Sequence, residues 1–96
     1  MTEFTAYHVP ASDEEPTKIT RTEPFTLEEM QNYVHGYIEG VFTVPNPDTD
    51  EYDGQWVMVI NEEGRSLNLP PNRRITAQLN QLVVGDVLIM QKELFE

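Results

Sequence analysis

The sequence contains no cysteine. That removes disulfides, thiolate nucleophiles, iron–sulfur clusters and cysteine-type zinc sites. Basic residues are scarce: six Lys and Arg stand against 17 Asp and Glu, for a net charge of −11 in 96 residues. Nucleic-acid affinity comes largely from Lys and Arg displacing counterions from phosphates, so no nucleic-acid partner is expected. No run of about 18 apolar residues occurs, and no membrane span is expected. Met1-Thr2-Glu3-Phe4-Thr5 lacks the basic start and apolar stretch of a secretory signal. Cytoplasm is the expected location.

What is present is acid, unevenly spread. Residues 1–54 carry 12 Asp and Glu against Lys18 and Arg21, whereas residues 55–96 carry five against Arg65, Arg73, Arg74 and Lys92. Such a surface serves as a solvated face that confers solubility, as an adaptation to salt, or as a docking or decoy face that steers a basic partner. The lopsided distribution favours a face over uniform salt adaptation. The loop Pro45–Gly54 concentrates Asp48, Asp50, Glu51 and Asp53, the candidate partner-binding residues.

The length fits one domain over 1–96, with an N-terminal hairpin region and acidic loop in 1–25 and a core in 26–90. Residues 4–9 and 17–22 are rich in aromatics, Thr and Ile and read as a loose hairpin. Thr26-Leu27-Glu28-Glu29 is a capping box, and Leu27, Met30, Tyr33, Val34 and Tyr37 recur at helical spacing. A helix is predicted over 26–35, with Gly36 as its left-handed stop. Residues 37–44 alternate as a half-buried strand. In 55–60, Trp56, Met58 and Ile60 face one way and Val57 and Val59 the other, the pattern of a central strand. Residues 65–69 are expected to return as a strand. A short helix follows from Pro71 or Asn72, with Ile75 and Leu79 inward, and 87–91 forms a nearly all-apolar central strand. The order β-β-α-β-β-β-α-β describes an α+β domain, a mixed or antiparallel sheet of four to six strands with two helices on one side. A β-grasp roll, with the last strand beside the first, is one outline, and a split βαβ is its rival.

Chemistry-bearing patterns are few. Counted from Asp48, the sixth and twelfth residues are Asp53 and Val59, which breaks the register of a calcium loop. His8 and His35 fall on separate elements and read as surface or structural residues, His35 complementing a helix C-terminus. No nucleophile elbow, phosphate loop or dinucleotide fingerprint is present, so no catalytic residue, metal or cofactor is expected. Leu67–Arg74 gathers two of the six basic residues at a helix start. Asn72, Arg73 and Arg74, with Tyr37 and Glu39, form a candidate site for a phosphate or carboxylate ligand. The simpler reading has Arg73 and Arg74 pairing with acids such as Glu39, Glu62 or Glu63. Tyr33, Tyr37 and Trp56 are aromatic wall, core or rim residues.

Four blocks carry a resemblance. Leu27-Glu28-Glu29-Met30-Gln31-Asn32-Tyr33-Val34-His35-Gly36-Tyr37-Ile38-Glu39, then Val59-Ile60-Asn61-Glu62-Glu63-Gly64, then Leu69-Pro70-Pro71-Asn72-Arg73-Arg74, and finally Val84-Gly85-Asp86-Val87-Leu88 stand in order. This pattern, over about residues 26–90, resembles an uncharacterised family of small domains carried by phages, plasmids and other mobile elements. Members usually read Val-Gly-Gly before Tyr-Ile-Glu, and here His35 stands in the first Gly place. The resemblance implies no activity, only a context: a small accessory protein of the kind that binds and blocks host machinery. The expected function is thus a non-catalytic acidic protein that engages a protein partner through its surface. The alternative is a small anionic-ligand module built on Asn72, Arg73 and Arg74. An exposed edge strand would also favour a homodimer.

Overall fold

A computed structural model describes residues 2–63 and 66–95, with the backbone alone of residues 39–41. Its elements are β1 (Phe4–Val9), β2 (Thr17–Arg21), α1 (Leu27–Val34), β3 (Ile38–Thr43), β4 (Trp56–Asn61), α2 (Arg73–Leu79), β5 (Val87–Gln91) and a closing 3₁₀ turn, Lys92–Leu94. The five strands form one sheet in the order β2-β1-β5-β4-β3, and every ladder is antiparallel. The last strand lies beside the first, as expected, but the pairing is antiparallel rather than the parallel one of a ubiquitin-like roll. Among the described residues no helix is long and apolar enough to cross a membrane.

The alternation of the strands decides the layering. Ala6, Met90 and Val57 align across β1, β5 and β4, and Tyr7, Ile89, Met58 and Phe42 align across β1, β5, β4 and β3 on the opposite face. The first row packs with Phe25, Met30, Val34, Val59, Leu88 and Leu94 beneath α1. Tyr7, Ile89 and Met58 of the second pack with Val9, Val44, Trp56, Ile75, Val83 and Val87 beneath α2. The two helices therefore cover opposite faces, not the one side expected. The cause is the composition of β4 and β5: strands apolar on both faces need cover on both. On β5, Val87, Leu88, Ile89 and Met90 are all buried, which stabilises the fold by about 8 kcal/mol.

Helix α1 forms as its start signal dictates. Thr26 Oγ1 accepts from the Glu29 amide, and Glu29 Oε1 accepts from the Thr26 amide. Phe25, just before the cap, and Met30, in the first turn, are buried in one cluster, a hydrophobic staple. Arg21 fixes the entry: its guanidinium donates to both Glu29 oxygens, at 2.8 and 3.2 Å, and lies 4.3 Å from the Phe25 ring centre. Arg21 and the Thr26 amide hold the Glu29 carboxyl down to about 2. At the far end the left-handed residue is His35 (φ 65°), not Gly36. Gly36 is required for a different reason, because a Cβ there would come within 2.7 Å of Asn61 Nδ2. That amide donates to the Val34 carbonyl at 3.0 Å and ties α1 to β4.

The segment between β4 and α2 departs from expectation. Gly64 and Arg65 lie outside the described residues, and Ser66–Asn68 form a turn where the return strand was expected. Asn68 adopts φ 54°, a left-handed value that a strand excludes. The extended chain that follows is reduced to a single bridge, Pro71 to Val84. Helix α2 begins after Asn72, whose side chain is fully buried. Its Oδ1 accepts from the Ile75 amide at 3.2 Å, and its Nδ2 donates to the carbonyls of Val9 and Gly85 at 2.9 and 3.1 Å. One side chain thereby joins the end of β1, the approach to β5 and the start of α2.

Thr26→Ala should lower the unfolding free energy by about 1 kcal/mol, the usual worth of a helix cap, in a urea titration followed by circular dichroism. Asn72→Ala should cost more, about 3 kcal/mol, because it strands two buried carbonyls as well as a helix amide.

Candidate functional site

The acidic loop is an ordered structure and not a loose tether. Asn46 organises it: the backbone amides of Thr49 and Asp50 donate to its carbonyl, and the Asp48 amide donates to Asn46 Oδ1 at 2.8 Å. Asn46 Nδ2 donates to Asp53 Oδ2, and the other Asp53 oxygen accepts from the Gln55 amide, closing the loop against β4. Asp50 takes φ 60° and Gly54 φ 75°, so the chain reverses twice in a few residues. Asp48, Asp50, Glu51 and Asp53 are all exposed. Asp48 accepts from the Tyr7 hydroxyl at 3.3 Å, and Asp50 from Gln78 on α2 at 3.4 Å. These carboxylates are spread along the loop and do not converge on a point. Among the described residues, no group of three His, Asp or Glu side chains is arranged to hold a metal ion.

The second concentration of chemistry was not legible in the sequence. His8 on β1 and His35 at the end of α1, read as isolated residues, meet on one carboxylate. Asp86 Oδ2 lies 3.0 Å from His8 Nε2 and 3.2 Å from His35 Nε2. Asp86 Oδ1 accepts from the Ala11 amide at 2.9 Å. The His8 ring also packs on Tyr33, at 5.3 Å between centres. Burial pushes the Asp86 carboxyl up, but the Ala11 amide and the two imidazoles outweigh it and leave the group below the ordinary aspartate range. His35 holds its left-handed backbone although it is not glycine, a conformation costing about 1 kcal/mol. From that backbone its ring reaches Asp86. The signal that could have found the cluster is topological: Asp86 opens β5, and β5 pairs with β1 beneath the end of α1.

The proposed ligand set is divided. Arg73 and Arg74 line an open cleft of about 460 Å³ with Ala11, Ser12, Asp13, Pro70 and Pro71. Arg74 pairs with Glu15, at 3.4 Å. Asn72 does not join them, since its polar atoms are spent on the backbone bonds described above; a buried amide with satisfied partners has no group left to offer a ligand. Tyr37 lines a different cleft, with Gln31, Asn32, His35 and Gly36. The side chain of Glu39 lies outside the described residues. Trp56 is buried in the α2-side core, Tyr33 packs at the edge of the α1-side core, and Tyr37 is exposed.

A third feature lies beside the acidic loop. Phe42, Tyr52 and Leu82 are exposed by 43%, 67% and 56%, and they share an apolar cleft of about 350 Å³ with Val44, Ile60 and Leu79. None of the side chains that line this cleft is charged.

The Asp86 cluster yields a pH test. A carboxyl held below its unfolded value stabilises the fold above that value and loses the contribution as pH falls through the folded one. Asp86→Ala should therefore cost about 2 kcal/mol at neutral pH. Below the ordinary aspartate value of 3.8 the gap from the parent should narrow. Urea unfolding at a series of pH values measures both.

No curated protein and no solved structure matches the chain. One family model does, over residues 5–94, which takes in both helices and all of the sheet but Phe4. On that match the chain belongs to the family described as Domain of unknown function (DUF3846).

Proposed function

We propose that this domain is a non-catalytic binding protein whose acidic face engages a basic protein partner, in the manner of the accessory proteins carried by phages and plasmids. The observation that carries the reading is the loop 45–54. Hydrogen bonds of Asn46 and Asp53 fold it on itself while Asp48, Asp50 and Glu51 remain exposed. A folded array of like charge costs little ordering entropy when a partner docks, and its field raises the association rate. The balance of 12 acids against two bases in residues 1–54 extends that field beyond the loop. The anionic-ligand alternative now rests on Arg73 and Arg74 alone, one of them already facing the Glu15 carboxylate.

The test neutralises Asp48→Asn, Asp50→Asn and Glu51→Gln together and leaves Asp53, which holds the loop. Asparagine suits the left-handed backbone at position 50. Immobilised parent protein should retain basic proteins from a host lysate at low salt and release them at high salt, and the triple variant should retain markedly less. Retention that ignores both the substitutions and the salt, or no retained protein at all, would refute the reading.

A further inference from the structure

The apolar cleft beside the acidic loop points to the form of that partner. We propose that the partner presents an extended segment that alternates basic and apolar side chains. The segment lies along the free edge of β3 and seats an apolar side chain among Phe42, Tyr52, Leu79 and Leu82. The inference rests on the acidic-face reading and adds the site and the shape of the ligand.

Strand β3 ends the sheet, so its outer backbone groups are unpaired within the sheet. The other edge strand, β2, carries Lys18, a charge that discourages strand addition and repels a basic segment. β3 carries no basic residue and contains Glu39. The bulge between Glu39 and Phe42 interrupts its regular pairing and leaves the Phe42 end, next to the cleft, as the place where an added strand can align. An added strand brings main-chain hydrogen bonds for affinity and alternate side chains for specificity. Here the cleft takes the inward side chain. Tyr52 belongs to the acidic loop, and its exposed sequence neighbour Glu51 brings negative charge to this side of the molecule for the basic ones.

The same charges argue against a second copy as the occupant. Two chains of net charge −11 meeting at this edge would bring both acidic loops together, and like-charge juxtaposition opposes association. A basic segment meets the same rim with complementary charge.

The test uses the full chain and a random linear-peptide display library. Selected peptides should carry Lys or Arg alternating with apolar residues, and one of them should protect β3 amides from hydrogen exchange. Leu82→Glu, at an exposed position, should weaken that peptide about tenfold or more. Leu27→Glu, equally exposed but on α1, should leave affinity unchanged. Circular dichroism checks that both variants fold. Basic peptides insensitive to Leu82→Glu but lost in the Asp48, Asp50 and Glu51 triple variant would overturn the cleft and keep the acidic-face reading. Peptides without basic residues, or no enrichment, would overturn both. A parent that sediments as a dimer, and becomes monomeric with Leu82→Glu, would replace the peptide by a second copy.

Discussion

A strand with no solvated side has to be enclosed before the rest of the chain can settle. Val87, Leu88, Ile89 and Met90 occupy that position, between β1 and β4 and beneath a helix on each face. Much follows from this enclosure. β2 and β3 are left at opposite edges, so the chain must cross the sheet between them, and α1 makes that crossing. α2 is needed on the other face, and Asn72 supplies the fixed point from which it starts. The segment that leads into β5 carries Gly85, whose carbonyl Asn72 holds, and Asp86, which gathers the two histidines.

The buried polar contacts tie elements of the fold to one another. Asn61, Asn72 and Asp86 each bond backbone from a neighbouring element, and among the described residues no buried side-chain nitrogen or oxygen lacks a partner. Satisfied groups of this kind stiffen a small fold. The groups left to meet other molecules are on the outside: the carboxylates of the loop, the cleft beside β3 and the two arginines near Pro70 and Pro71.

Local signals in the sequence carried well into the structure. The capping box at Thr26 and Glu29, the alternation of Trp56 to Ile60 and the unbroken apolar run 87–90 each describe interactions within a few residues, and each element stands where it was expected. Three features did not transfer. The placement of the helices on opposite faces follows from β4 and β5 being apolar on both sides, a need for two covers that shows only once both strands are seated inside the sheet. The left-handed turn falls on His35, and its partner Asp86 is distant in sequence. Asn72 looked like a ligand-binding amide at a helix start, but the carbonyls of Val9 and Gly85 occupy it, and Val9 comes from a remote strand. Charge remained the broad guide to the outside, while the pocket of Phe42, Tyr52 and Leu82 needed the sheet order before its members could meet.

The position of β5 in the chain also has a consequence for synthesis. The hairpin of β1 and β2 and the pair β3 and β4 both leave the ribosome before the strand that joins them. Until residues 87–91 emerge, the inner edges of β1 and β4 have no neighbour, and Ala6, Val57 and Val59 lack the side chains that cover them. Nascent chains halted before Val87 are thus two unjoined ribbons, vulnerable to proteases and to pairing with one another, and the fold closes only as its final strand slides between them.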